Sequence, residues 1–443
     1  MTVITRFAPS PTGLFHAGSY RTALFAYIFA KQNKGKFILR IEDTDKERSK
    51  KEYEDNIIDS LKWLGLDYDE LYRQSDRTDI YKKYIQKLID SGHAFISKET
   101  PKEAGDRAEV IRFKNPKKKV IFNDLIRGQV EFDTTELGDF VIAKSLEEPV
   151  FHLVNVVDDH EMGMTHIIRG EDHISNTPRQ ILIYEAIGAK NIPIFAHIPL
   201  LLAKDRSKLS KRHGAIPMTE YRERGFLPEV LVNYMALLGW HPADDREVLT
   251  LDDIVKEFSL DRVQKGGAIF DEEKLKWFDH QYIAKLNNDE FQSHASPFVP
   301  EWLATSSPLF KRCIPLLREK ISSFGEIPQL LADNGELRFV HGLKDYAPLS
   351  LLWKKNPKRE AALVHLQKVQ ELVMAIPDDS FTAESIKVAV WNYAEAEGKG
   401  DVLWPLRMAL TGQDKSPDPF TSAFILGREE TLNRIHLAIK KLS

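Results

Sequence analysis

The sequence predicts an α/β domain built on a parallel sheet, interrupted by a small α+β insertion and followed by an all-helical region. Three observations carry this. Strand, loop, helix and strand patterns succeed one another over residues 3–41. Short, polar, strand-like patterns fill residues 95–160, and from about residue 220 the apolar periodicity is helical.

Residues 3–7 alternate and read as a short buried strand. Pro9 and Pro11 end it, because proline cannot continue a hydrogen-bonded ladder. Leu24, Phe25, Ile28 and Phe29 recur at helical spacing within residues 19–33, and Gly35 closes that helix. Residues 37–41 form a second strand that runs into Glu42, Asp43 and Asp45. This is a βαβ unit, whose strands lie parallel. Ligands of such sheets bind beyond the carboxyl ends of the strands, where the loop 8–19 and the cluster 42–45 both fall.

Residues 53–66 and 79–91 carry amphipathic helix patterns. The segment 95–160, with its basic run Lys117-Lys118-Lys119, reads as an insertion into the sheet domain. Residues 150–157, 167–168 and 194–202 read as buried strands, with a helix over 177–187 between the last two. Trp240-His241-Pro242 and Gly266-Gly267 break the helical part, and Asn287-Asn288-Asp289 reads as a linker.

The chain has 443 residues, enough for about two to four domains. At 42% hydrophobic and 29% charged it can bury a core. The 62 basic and 66 acidic residues leave a net charge of −4, which excludes a uniformly basic protein but not a local basic patch. Cys313 is the single cysteine, so an intramolecular disulfide and a multi-cysteine zinc site are both excluded, and a reducing compartment is indicated. No signal-peptide pattern and no run of about 18 apolar residues is visible. The expectation is a cytoplasmic protein without a membrane span.

Two motifs carry chemistry. In Pro9-Ser10-Pro11-Thr12-Gly13-Leu14-Phe15-His16-Ala17-Gly18-Ser19 a rigid turn gives way to His-x-Gly at a helix start. Helix N-termini offer unpaired N–H groups and partial positive charge, which suit a phosphate. Gly18 permits close approach, and His16 can hydrogen-bond a phosphate oxygen as its charge grows. The motif is neither a Walker loop nor G-x-G-x-x-G. The second is Lys204 to Gly214, with Lys204, Arg206, Lys208, Lys211 and Arg212 within nine residues. Two lysines on one loop can clamp a triphosphate as charge migrates to departing pyrophosphate. Taken alone, the first motif also fits a plain turn and the second a solvated basic loop.

Together, His-x-Gly after the first strand and Lys208-Leu209-Ser210-Lys211-Arg212 late in the same domain resemble the class I aminoacyl-tRNA synthetases. The segments Arg6 to Gly13, Arg40 to Asp45, Val156 to Asp159, Ile168 to His173, Lys208 to Gly214 and Leu403 to Arg407 stand in the order of bacterial-type glutamyl-tRNA synthetases. The resemblance covers essentially the whole chain.

It implies a Rossmann-like catalytic domain over residues 1–80 and 160–212, an acceptor-end-binding insertion over 81–159, a stem-contact domain over 213–290 and a helical anticodon-binding domain over 291–443. His16, Gly18, Lys208 and Lys211 become the catalytic set, and these with Leu209 and Ser210 the ATP site. Separating glutamate from glutamine needs a cation in the pocket. Arg6 and Arg169 each end a strand and can face one crevice, and the family places matching arginines at the substrate carboxylates. Glu42 is the candidate acceptor for the substrate ammonium, and Ala8, Ser10, Phe151 and Asn155 complete the glutamate site. Asp45 matches a position near the tRNA 3′ end.

Phe151 departs from the tyrosine common in the family and loses its hydroxyl, and Ser19 departs from the fourth letter of the class consensus. No zinc is expected, because the stretch near Ala94-Phe95-Ile96-Ser97 has no cysteine. The implied reaction couples L-glutamate to tRNA-Glu through glutamyl-adenylate, with magnesium accompanying ATP and activation dependent on bound tRNA. The expected form is a monomer with no membrane partner. Trp353, Trp391 and Trp404 suit either anticodon contacts or the helical core. The alternatives are charging of tRNA-Gln as well or instead, glutamyl transfer to a modified tRNA base, a glutaminyl enzyme, and an inactive tRNA-binding paralogue. Residues 291–443 argue against base transfer, their helical pattern against the β-barrels of a glutaminyl enzyme, and His16, Lys208 and Lys211 against the paralogue.

Overall fold

The structure is a computed structural model that describes residues 2–99, 108–209 and 216–443. It divides into two compact units, Met1–Phe278 and Asp279–Ser443.

The first unit opens with β1 (Ile4–Phe7), α1 (Ala17–Gln32), β2 (Lys36–Ile41), α2 (Lys51–Trp63), β3 (Glu70–Arg73) and α3 (Thr78–Asp90). The first three strands pair in parallel in the order β1-β2-β3. Tyr20, Leu24, Phe25 and Ile28 of α1 and Phe37 and Leu39 of β2 are all fully buried in this βαβ unit. Burying a large apolar side chain is worth about 1.5–3 kcal/mol, so this layer contributes substantially to holding α1 against the sheet.

Six strands follow among the described residues: β4 (Ala94–Lys98), β5 (Glu109–Phe113), β6 (Lys119–Asp124), β7 (Gly128–Asp133), β8 (Phe140–Ser145) and β9 (Glu148–Pro149). Strands β4, β5, β8 and β9 form an antiparallel sheet. The β6–β7 hairpin instead joins the parallel part of the protein.

The segment 150–157, expected as a strand, is the helix α4 (Phe151–Glu161). Leu153, Val154, Val156 and Val157 are buried on one side and Asn155, Asp158 and Asp159 on another. An apolar run buried all round has no visible period. The helical spacing is carried by its polar residues at 155, 158 and 159.

The parallel part resumes with β10 (His166–Gly170), α5 (Thr177–Ala186) and β11 (Ile194–Ile198). Pro199 ends β11, so the strand expected over 194–202 is split, and β12 (Leu201–Leu202) is separate. β10 pairs with β11 in parallel, and β11 with β6 at Phe195 and Asp124. Thr165, just before β10, ties it to β1: the Ile4 N–H donates to Thr165 Oγ1 at 2.8 Å and the Thr165 N–H to the Ile4 carbonyl at 3.0 Å. Chain connections leave β1 toward β2 on one side, while β10 and β11 lie on the other. The strand order therefore reverses beside β1, where a doubly wound sheet opens a crevice.

The rest of the unit comprises α6 (Met218–Glu223), α7 (Pro228–Leu237), α8 (Leu251–Glu257), β13 (Ala268–Ile269) and the start of α9 (Glu272–Lys285). β13 is the one strand in the part read as helical, and it pairs with β12 through Leu201 and Leu202.

The second unit is helical, with α10 (Asn288–Ala295), α11 (Pro308–Lys320), α12 (Ile327–Leu331), α13 (Arg359–Met374), α14 (Ala383–Glu397), α15 (Lys399–Thr411), α16 (Pro419–Leu426) and α17 (Arg428–Leu442). Asn287, expected in a linker, is the N-cap of α10: its side chain accepts from the Asp289 and Glu290 N–H groups at 3.0 Å, and Glu290 returns the bond at 2.8 Å. Asn-x-x-Glu is a capping box, a helix start and not a hinge. Trp353 and Trp404 are half-buried and pack at 5.7 Å, with Trp404 Nε1 donating to the Ser350 carbonyl at 3.0 Å. Trp391 is half-buried under Lys399, whose ammonium lies 4.3 Å from the ring centroid.

A methyl group on Gly35 would lie 2.1 Å from the Val3 carbonyl oxygen, a backbone clash that no rotamer relieves, whereas one on Gly13 meets nothing within 4 Å. Gly35→Ala is expected to lower the stability of the first unit by about 1–3 kcal/mol. Gly13→Ala should leave it unchanged. Urea unfolding curves read both, and equal midpoints for the two variants would contradict the assignment.

Candidate active site

The crevice beside β1 holds a cleft of about 450 Å³. The end of β1 and the following loop contribute Arg6, Ala8 and Ser10 to its lining. The start of α1 contributes His16 and Gly18, and the end of β2 contributes Glu42. α4 supplies Phe151 and Asn155, β10 supplies Arg169, and a tight turn after β12 supplies Lys208 and Leu209. Asp45 does not line the cleft; it is engaged by Arg48, whose Nε donates to Asp45 Oδ2 at 2.6 Å. Ser210 and Lys211 lie outside the described residues.

One wall is an ion network that the sequence did not single out. Arg40 is fully buried in β2. Its Nη1 donates to Asp159 Oδ1 at 2.6 Å, and its Nη2 to Glu42 Oε1 and Asn155 Oδ1 at 3.1 Å each. Burial works against its charge, but Asp159, Glu42 and Asp158 outweigh it and hold Arg40 firmly protonated. Asn155 Nδ2 donates in turn to Glu42 Oε1 at 2.9 Å, so the same carboxylate oxygen is held from two sides. Arg6 clamps Asp159 from the other direction, with Nε 3.1 Å from Oδ1 and Nη2 3.5 Å from Oδ2. Burial raises the Glu42 carboxyl above its usual range despite Arg40 and Arg6. Asp159, under the same two arginines, is held below its own.

Arg169 is different. It too is buried, but among the described residues no carboxylate pairs with it. Its Nε donates to His197 Nε2 at 3.1 Å and its Nη2 to Thr177 Oγ1 and Gln180 Oε1 at 2.8 Å. Burial, reinforced by Arg6, pulls its pKa down to about 9. A buried cation held only by neutral acceptors is poised for an anion. The Nη1 atoms of Arg6 and Arg169 have no hydrogen-bond partner among the described residues, and both side chains border the cleft.

The opposite end suits phosphates. His16 is the N-cap of α1, its ring accepting from the Ser19 N–H at 3.5 Å. A methyl group on Gly18 would lie 3.3 Å from the His16 ring, so the glycine leaves the imidazole its place. Lys208 is exposed above the cleft, with Nζ 3.2 Å from Asp172 Oδ2. The Leu209 N–H donates to the Leu201 carbonyl at 2.9 Å, which fixes the turn that carries the lysine.

Phe151 closes a side of the cleft against His173, with ring centroids 5.7 Å apart. Burial, then the charge of Arg169, pushes the His173 pKa down to about 4; burial with Arg179 and Arg169 does the same for His152. Both imidazoles are therefore neutral near pH 7. Arg40, Asp159 and His173 are the site residues that sequence reasoning missed. A lone arginine inside the apolar run 37–41 was the available signal for the first.

The family model of class I tRNA synthetases (E and Q), catalytic domain, matches residues 2–109 and 100–277, and that of an anticodon binding domain matches 290–439. The fold and the cleft are thus those of a class I aminoacyl-tRNA synthetase, an ATP-using enzyme. The chain is 40% identical to the glutamate–tRNA ligase of Aquifex aeolicus, covering 100% of this chain and 99% of that one, and 41% identical to that of Carboxydothermus hydrogenoformans, covering 98% and 99%. A crystal structure of a glutamate tRNA ligase from Elizabethkingia meningosepticum in complex with its amino acid superposes with a TM-score of 0.85 at 33% identity, over 100% of both chains. The chain belongs to the glutamate–tRNA ligases, enzymes that join glutamate to tRNA.

Asp159 balances two buried arginines, so Asp159→Asn is expected to cost about 3–5 kcal/mol of stability at neutral pH. A carboxyl whose folded pKa is depressed stabilises above the unfolded value, ~4, and loses that contribution as pH falls through the folded one. The gap between parent and variant should therefore narrow in acid. Denaturation midpoints from pH 7 downward test this, and a gap that widens in acid would reverse the assigned sign.

Proposed function

We propose that the arginine-lined part of the cleft binds L-glutamate and that His16, Gly18, Lys208 and Lys211 handle the phosphates of ATP. The observation that carries the first half is charge. Arg6, Arg40 and Arg77 share Glu42, Asp158 and Asp159, and Arg169 adds a surplus cation with no carboxylate on it among the described residues, in a water-poor site. Free glutamate, one ammonium and two carboxylates, complements that surplus. Its carboxylates meet the Nη1 edges of Arg6 and Arg169, and its ammonium meets Glu42. Arrival of the ammonium favours the Glu42 carboxylate, which burial otherwise disfavours. Glutamine lacks one carboxylate and would leave a buried guanidinium unpaired. Ala8 and Ser10 shape one side of the pocket, and Phe151 supplies a ring without a hydroxyl.

In the first step an oxygen of the α-carboxylate attacks the α-phosphorus of ATP, and pyrophosphate leaves. In the second a terminal ribose hydroxyl of tRNA attacks the activated carbonyl, and AMP leaves. Positioning and charge stabilisation suffice for both. The N–H groups at the start of α1 and the His16 ring face one side of the triphosphate, and Lys208 reaches it from the other. Magnesium enters bound to ATP. Among the described residues no cluster of three or more His, Cys, Asp or Glu side chains could hold a metal on its own.

The tRNA is taken to be tRNA-Glu, with glutamate activation requiring it. Residues 81–159 are assigned to the acceptor end with Asp45 near the 3′ terminus, 213–290 to the stem, and 291–443 to the anticodon. The anticodon-domain match supports the last. Trp391 beneath Lys399 offers an aromatic face and a cation together, which suits an unstacked base. We take the enzyme to act as a cytoplasmic monomer; no described helix is long and apolar enough to cross a membrane.

Purified protein with ATP, magnesium and glutamate should charge tRNA-Glu, and tRNA-Gln much less, at a fixed salt concentration. Equal charging of both would replace tRNA-Glu selectivity with a broader specificity. Lys208→Ala should reduce tRNA-dependent ATP–pyrophosphate exchange by about a hundredfold with little change in the KM for glutamate. An unchanged exchange rate would remove Lys208 from the phosphate site.

A further inference from the structure

We propose that Asp124 and His197 are positioning residues for the amino-acid substrate: they fix the orientation of Arg169, and they do so without neutralising it. This rests on the assignment of Arg169 to a substrate carboxylate.

The hydrogen bonds leave one arrangement of protons. Arg169 Nε–H must donate, so His197 Nε2, 3.1 Å away, accepts through its lone pair. The imidazole proton then sits on Nδ1 and is donated to Asp124 Oδ2 at 2.6 Å. Asp124 is itself held by backbone: its Oδ1 accepts from the Ile126 and Arg127 N–H groups at 2.9 and 2.8 Å, and its Oδ2 from the His197 N–H at 3.0 Å. Burial raises its pKa, but His197 and these N–H groups outweigh burial, and the carboxyl stays ionised. Burial lowers the pKa of His197, Arg169 adds to the effect, and the ring stays neutral against the pull of Asp124.

The consequence lies in what Arg169 does not touch. Its acceptors are an imidazole, a hydroxyl and an amide oxygen, all neutral. A carboxylate placed directly on the guanidinium would compete with the substrate's own. With an imidazole between them, the charge of Asp124 orients and polarises the acceptor while the positive charge of Arg169 remains available to a ligand. Arg6 shows the contrary design, with Asp159 in direct contact at 3.1 Å. Thr177 Oγ1 and Gln180 Oε1 hold Nη2, so Nε, held by His197, completes a three-point grip that leaves Nη1 to the cleft.

Asp124 comes from β6, in the inserted stretch, and reaches His197 because β6 pairs with β11 at Phe195. A residue of the segment assigned to the tRNA acceptor end thus fixes the arginine assigned to the amino acid.

The test uses the full-length protein in steady-state glutamylation of tRNA-Glu, with separate KM values for glutamate and ATP. His197→Leu removes the acceptor and should raise the KM for glutamate on the order of tenfold while leaving that for ATP within about twofold. His197→Gln, which restores a neutral carbonyl acceptor, should recover most of the loss. On an Arg169→Ala background His197→Leu should add nothing, because it acts only through Arg169. If His197→Leu does not fold, Asp124→Asn carries the same cycle. An unchanged KM for glutamate in Arg169→Ala would overturn the assignment of Arg169, and the proposal with it. A raised KM in Arg169→Ala, together with no effect of His197→Leu or with a full additive effect in the double variant, would overturn the positioning role alone. Failure of His197→Gln to recover would show that the site needs the ring's shape and not its acceptor, which also overturns it.

Discussion

A guanidinium taken wholly out of water needs its charge compensated, and Arg40 collects carboxylates for this from two distant parts of the chain. Glu42 directly follows its own strand, whereas Asp159 and Asn155 come from α4, 119 and 115 residues away. The ion pairs therefore do two jobs. They pin α4 against the sheet, and they set one wall of the cleft. Removing one partner would strand a charge that burial disfavours, so the network resists piecemeal change. Because Asp159 is shared with Arg6, the strand that opens the fold is held to the same network.

The cleft follows from that arrangement and from strand order. β1 lies between the β2 side and the β10 side of the parallel part, and Thr165 joins β10 to β1 edge to edge. Arg6 and Arg169, at the ends of β1 and β10, are thereby brought to one crevice. The helix that leaves β1 presents its N-terminus there as well, so the arginines proposed for carboxylates and the helix start proposed for phosphates lie side by side. Reaction between a carboxylate and a phosphorus needs such adjacency more than it needs a dedicated acid or base.

Local motifs were legible because their chemistry is local. His16 and Gly18 start a helix after a proline-rich turn, and Lys208 follows β12 on a short turn; both features are fixed by residues within a few positions. The strand ends that carry Arg6 and Arg169 follow from periodicity and sheet rules. α4 was misread because it is buried on its apolar and its polar side alike, so the apolar residues read as one run and only the polar ones carry the helical period. Asn287 was misread for the opposite reason: a polar triplet looked like a linker, while its side chains were closing hydrogen bonds at a helix start.

The sequence by itself determined the family, most of the alternation of strands and helices, and many of the residues that border the cleft, since these are written in short-range patterns or in motif order. Only the tertiary structure decided which cations are satisfied and which are available. Arg40 and Arg169 are both strand arginines buried from water. One is surrounded by carboxylates and the other by neutral acceptors because of side chains brought in from α4, α5, β6 and β11. Charge compensation in a low-dielectric interior depends on distances of a few ångströms between residues far apart in the chain, and no local pattern encodes those distances.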